Sequence, residues 1–142
     1  YGVLEKQFRG YYEEAASRRG ITGEILLQLL ETRLDNVCFR LGFGNTRAAS
    51  RQLVNHGHVL VNDQKVDIAS YQVKPGDNIK IGGKPSSQQL ALRMMDLTQS
   101  VPLVDWLTLD RETMVGVVER VPERSDIDPL VNEQLIVELY SR

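Results

Sequence analysis

The stretch from Thr46 to Val66, TRAASRQLVNHGHVLVNDQKV, leaves the chain little conformational choice. Thr46 stands where an N-cap belongs, directly after the breaker run Gly42-Phe43-Gly44-Asn45, so a helix starts here. It has to stop at His56-Gly57, because glycine is the usual residue in the left-handed position that ends a helix. His58-Val59-Leu60-Val61 has the β-branched bias of a strand, and Asn62-Asp63 suits a reversal before Lys65-Val66. Helix, glycine turn and hairpin thus follow one another within the length of one supersecondary unit.

At about 100° per residue, Arg47, Arg51 and Asn55 share one helical face, and Ala49, Leu53 and His56 the other. The unit's polar groups are Arg47, Arg51, Gln52, Asn55, His56, His58 and Lys65. Arginine and lysine pair with phosphate oxygens, while glutamine, asparagine and histidine reach base edges or 2′-hydroxyls, a mixture suited to structured RNA. An exposed helix with ordinary solvated arginines satisfies the same spacing.

The flanks supply support. Leu4 to Ala16 is helical, with Leu4, Phe8, Tyr11, Tyr12 and Ala15 on one stripe, and it ends at Ser17-Arg18-Arg19-Gly20. Lys6 and Arg9 lie off that stripe, where a phosphate contact and a solvated charged face are both open readings. From Thr22 to about Leu41 the stripe Leu26, Leu30, Leu34, Val37 and Leu41 predicts one long buried helix, with Arg33, Asp35 and Arg40 outside it. Pro75-Gly76 signals a type II turn, and Asn78–Ile81 alternates as a strand should. Gly82 to Ser87 reads as a flexible break before a helix from Gln88 to Gln99. Trp106–Asp110 and Met114–Val121 read as two strands, and Pro122 to Asp126 as a polar loop whose charges either clasp a partner or pair with one another. Asn132 to Arg142 has helical spacing and is expected to dock on the other helices.

Several classes fall away. A formal charge of −2 argues against nucleic acid, but it is unevenly placed. Residues 1–84 hold 12 Lys and Arg against 9 Asp and Glu, while residues 85–142 hold 5 against 10, so the front is basic and the back acidic. There is no apolar run near the roughly 20 residues a bilayer span requires, and no basic-then-apolar leader at the start. Cys38 has no cysteine partner and sits in an apolar pattern, which suits a small buried residue and a reducing compartment. Gly42-Phe43-Gly44 follows a helix instead of a strand, unlike a dinucleotide loop. His56 and His58 lack the further ligands a metal needs, and neither a nucleophile elbow nor a carboxylate pair points to catalysis.

The blocks YGVLEKQF, LLQLLETRLDNVCFRLGFGNTRAASRQLVNHGHVLVND, SYQVKPGD, VPERSD and NEQLIVELYSR resemble the ribosomal protein S-four family of the small subunit, bacterial or organellar, in order along nearly the whole chain. They begin downstream of the basic, sometimes metal-binding N-terminal extension usual in that family. The resemblance implies an α+β fold: a mostly helical domain with a small α/β RNA-binding module of the helix-turn-hairpin type. It divides the chain into residues 1–32 as helical domain, 33–84 as the module, 85–124 as a helix and strands packing on it, and 125–142 as a segment returning to the helical domain. It implies a structural ribosomal protein, not an enzyme, with no cofactor, metal, membrane or small-molecule substrate. Its partners would be a junction in the 5′ domain of small-subunit ribosomal RNA, ribosomal protein S-five and neighbouring small-subunit proteins. Assembly of the subunit body and translational accuracy would be its tasks, on a cytoplasmic or organellar ribosome. Carried over position by position, the RNA-binding residues are Thr46, Arg47, Arg51, Gln52, Asn55, His56, His58 and Lys65, with Tyr1, Lys6, Gln7 and Arg9 from the first helix. Two positions depart from the family pattern: Ala49 where a Glu commonly closes a capping box with Thr46, and Asp63 where glycine is usual, while Asn45 stands where a polar or basic residue is common. A stress-type ribosome rescue factor or a fragment of an RNA-modifying enzyme would carry the same module.

Overall fold

The computed structural model describes residues 1–127. Four helices come first: α1 (Glu5–Ser17), α2 (Thr22–Glu31), α3 (Leu34–Leu41) and α4 (Arg47–Asn55). Then come strands β1 (Val59–Val61), β2 (Gln64–Lys65) and β3 (Asn78–Ile81), helix α5 (Pro85–Thr98), and strands β4 (Leu107–Asp110) and β5 (Val115–Val118). All pairings are antiparallel in one sheet ordered β2-β1-β3-β5-β4, so the fold is α+β as the resemblance implies. The expected segment from Asn132 to Arg142 lies outside the described residues.

Among the described residues two apolar clusters form. The larger unites α3, α4 and α5 with the sheet around Leu34, Phe43, Leu53, Val59, Ile79 and Trp106. The smaller joins α1 to α2 through Ala15, Leu26, Leu29 and Leu30, with Phe8, Tyr11 and Tyr12 against them. Leu4 is an exception to its predicted stripe. It caps α1 and is 74% exposed, while Val3 packs in its stead.

The long helix expected from Thr22 to Leu41 is two helices. Arg33 is extended, with ψ of 141°, and it forms an antiparallel bridge with Gln72. The amides of Leu34 and Asp35, unpaired at the start of α3, donate to the carbonyls of Tyr71 and Ala69, and Val73 N donates to the Thr32 carbonyl. The Thr32 hydroxyl donates to Gln72 Oε1 at 2.6 Å. A distant segment therefore satisfies both ends of the break, which no helical periodicity can announce. Arg33, read as lying outside the apolar stripe, is 1% exposed and grips Asp35 through Nε and Nη2, both at 3.0 Å.

The hairpin reverses at Asn62-Asp63, whose φ angles of 50° and 68° are those of the two-residue turn that matches strand twist. Pro75-Gly76 turns as predicted, with Gly76 at φ 91° and Asp77 N donating to the Lys74 carbonyl. The break expected at Gly82 to Ser87 is shorter: Pro85 opens α5, its fixed φ suiting a first helical turn, and Ser87 is buried. β5 pairs directly with β3, which continues the module's sheet into the chain's acidic half. Asp126 of the polar loop is held by Arg120, which precedes the loop, at 2.6 and 3.0 Å, so the pairing runs from the loop to the chain before it.

Candidate nucleic-acid interface

Local chemistry sets α4 in place at both ends. Thr46 caps it, its hydroxyl oxygen accepting from Ala49 N at 2.9 Å. Gly57, at φ 77°, ends it in a Schellman arrangement: His58 N donates to the Leu53 carbonyl and Gly57 N to that of Val54. α3 ends the same way at Gly42 and Phe43. Gly44 lies so close to α4 that a Cβ there would stand 2.3 Å from Ser50 Oγ, so this glycine run serves close packing. The buried side of α4 is Ser50, Leu53 and Val54. His56, expected on that side with Leu53, is exposed instead, because the helix ends there and the chain turns away.

Arg47 is held but not neutralised. Its guanidinium lies 4.7 Å from the ring centre of Phe39 and 5.0 Å from that of Tyr1, and its Nε donates to Asn36 Oδ1 at 3.3 Å. Beneath this sits Glu31, 1% exposed, which accepts from Tyr1 Oη, Asn36 Nδ2 and Arg40 Nη2, each at 2.7 Å. One buried carboxylate thereby orients the Tyr1 ring and the amide that holds Arg47. Burial and the Glu31 charge push the Tyr1 phenol well above its usual range, so it stays a neutral donor.

The remaining predicted residues divide by what they touch. Gln52, Asn55, His56 and Lys65 are exposed, and Arg51 Nη1 donates to the Gly2 carbonyl at 3.2 Å. Lys65 lies over the Gly57 turn, where a Cβ would stand 2.9 Å from its Nζ. His58 is half-buried, its Nδ1 2.6 Å from Ser87 Oγ. Tyr1 is drawn onto α4, whereas Lys6, Gln7 and Arg9 stay on the solvent side of α1, with Arg9 beside Glu5 at 3.8 Å. Among the described residues, Arg47, Arg51 and Lys65 meet no carboxylate within ion-pair distance, so their charge is available to an anion. Sequence reasoning missed Glu31, Asn36, Phe39 and Arg40. The available signal was a glutamate inside the apolar run LLQLLETRL, where an unpaired carboxylate would be costly.

Residues 32–79 match the S4 domain, and residues 1–31 match the Ribosomal protein S4/S9 N-terminal domain. The whole chain aligns at 65% identity with 70% of the small ribosomal subunit protein uS4 of Akkermansia muciniphila. The chain belongs to the ribosomal protein S4 family. The uS4 proteins of Marinobacter nauticus and Opitutus terrae align over all 142 residues at 56% and 52% identity, covering 69% and 70% of their lengths. In the S4 domain match fall α3, α4 and the hairpin, hence Arg47, Arg51, Gln52 and Lys65. Glu31 is the last residue of the N-terminal match, and its partners Asn36 and Arg40 belong to the S4 domain match, so its carboxylate ties the two together.

Proposed function

We propose that this S4 family chain is a structural protein of the small ribosomal subunit that binds a folded ribosomal RNA junction through the face of α4 and the turn beyond it. The observation that carries this reading is the set of three cations, Arg47, Arg51 and Lys65, that meet no carboxylate among the described residues on one helix-turn-hairpin unit. Arg47 is preorganised by two rings and an amide, which lowers the ordering cost of a phosphate contact. Gln52, Asn55 and His56 stand exposed beside these cations, and Thr46 and His58 flank them, able to touch sugar and base edges. Tyr1 acts by positioning, and Lys6, Gln7 and Arg9 extend the contact along α1. In this reading residues 33–84 are the RNA module and residues 1–32 its helical companion. The RNA is a junction of the 5′ domain, ribosomal protein S-five is a neighbour, and the roles are subunit assembly and translational accuracy without catalysis. The bacterial relatives support a cytoplasmic ribosome.

Titrating 5′-domain junction RNA at several salt concentrations tests this. Affinity should fall steeply with salt, and Arg51→Ala should reduce the slope of log K against log salt by about 1. Arg47→Ala with Arg51→Ala should cost at least roughly tenfold in affinity. A flat salt dependence, or an unweakened double variant, would overturn the reading.

A further inference from the structure

We propose that the groove between α4 and α5 receives one unstacked nucleobase of the bound RNA, an inference that rests on the RNA-binding reading above. The groove measures about 110 Å³. That is somewhat less than the roughly 150 Å³ of an apolar cavity that takes up benzene, so the groove admits one ring at most. Its accessible apolar walls are Ala49 of α4 with Leu90 and Met94 of α5, each partly exposed. Its polar members are Gln52, His56 and His58. An apolar floor under an amide and two imidazoles suits a heterocycle, whose face wants apolar contact and whose edge wants donors and acceptors. A phosphate is a poor occupant, because no lysine or arginine lines the groove among the described residues.

The surroundings select RNA over a protein side chain. Lys65 lies across Gly57 between the two histidines, so a cation stands beside the mouth where the sugar-phosphate of an inserted base would run. The His58 ring is held by Ser87 through Nδ1, which leaves Nε2 for a ligand. The His56 and His58 rings are 6.4 Å apart and tilted by 50°, so they are not stacked on each other.

The test is chemical probing of Watson–Crick edges with dimethyl sulfate and a carbodiimide on small-subunit 5′-domain RNA, using the full chain and two variants. Leu90→Trp fills the groove without touching a cation. Gln52→Ala removes a rim group at an exposed position, where folding is safe. The wild-type chain should protect one unpaired base that becomes reactive again with Leu90→Trp. Affinity should fall roughly tenfold for Leu90→Trp and about threefold for Gln52→Ala, with the salt slope unchanged because no phosphate contact is lost. Wild-type affinity in both variants, with no protected base that responds to either, overturns the groove assignment and leaves the RNA reading standing. Loss of salt-dependent binding in the wild-type chain itself overturns both.

Discussion

Glu31 and Arg40 meet at 2.7 Å across the junction of α2 and α3, the acid 1% exposed and the guanidinium side chain 23% exposed. The same carboxylate holds Tyr1 and Asn36, so its loss strands three donors at once. Glu31→Ala should destabilise the chain by about 3–5 kcal/mol, the range for breaking a buried pair from one side. Glu31→Gln, which keeps an acceptor, should cost less. Urea unfolding followed by circular dichroism reads both, and a cost below about 1 kcal/mol for Glu31→Ala would refute the hub.

Arg33 and Asp35 form a second buried pair, bonded twice at 3.0 Å, with the Tyr11 hydroxyl 3.1 Å from Arg33 Nη1. Asp35→Ala should cost about 3–5 kcal/mol by leaving a buried guanidinium uncompensated. Arg33→Met combined with Asp35→Leu should recover most of that loss, because the desolvation of both charges is removed together. A double-mutant cycle in urea decides the point. Purely additive costs would contradict it.

Asp63 occupies a left-handed position, at φ 68°, where glycine carries no Cβ penalty. Asp63→Gly gives up only the exposed contact with Lys80, a pair of small value. The variant should be more stable by up to about 1 kcal/mol, seen as a rise of roughly 2–4 °C in Tm. A lower Tm would mean that the Lys80 pair outweighs the backbone term.

The Arg120 guanidinium beside Asp126 holds that carboxyl below its usual range, helped by the backbone amide of Glu123. A carboxyl depressed in the folded state stabilises fully above its unfolded pKa of about 3.9, and the contribution is lost as pH falls through the lower folded value. Acid unfolding of Asp126→Asn should therefore show a shallower pH dependence below about pH 4 than the parent, with no change near neutrality in the slope of stability against pH. Identical acid profiles would exclude the Arg120 clasp as a source.

Much of this molecule is legible from short-range rules. Thr46, Gly57, Asn62-Asp63 and Pro75-Gly76 each act within four or five residues, and α4, the hairpin and the turn before β3 form where those rules put them. α5 starts at Pro85, ahead of the helix its apolar spacing predicts from Gln88, because Gly82 and Gly83 mask Pro85 as a first helical residue. The helical periodicity that puts His56 on the packed side ends at Asn55, one residue before it.

What the sequence determined alone is the α4 turn and hairpin, and the cations they display, since caps, left-handed glycines and strand alternation are chemistry between near neighbours. Only tertiary structure decided where α2 gives way to α3. There the donors and acceptors come from residues 69–73, some forty positions away, and a helical pattern contains no record of them. Tertiary structure likewise converted Glu31, Asn36 and Arg40 from residues on two helices into the support of Arg47, because a buried carboxylate is stable only where folding gathers enough donors around it.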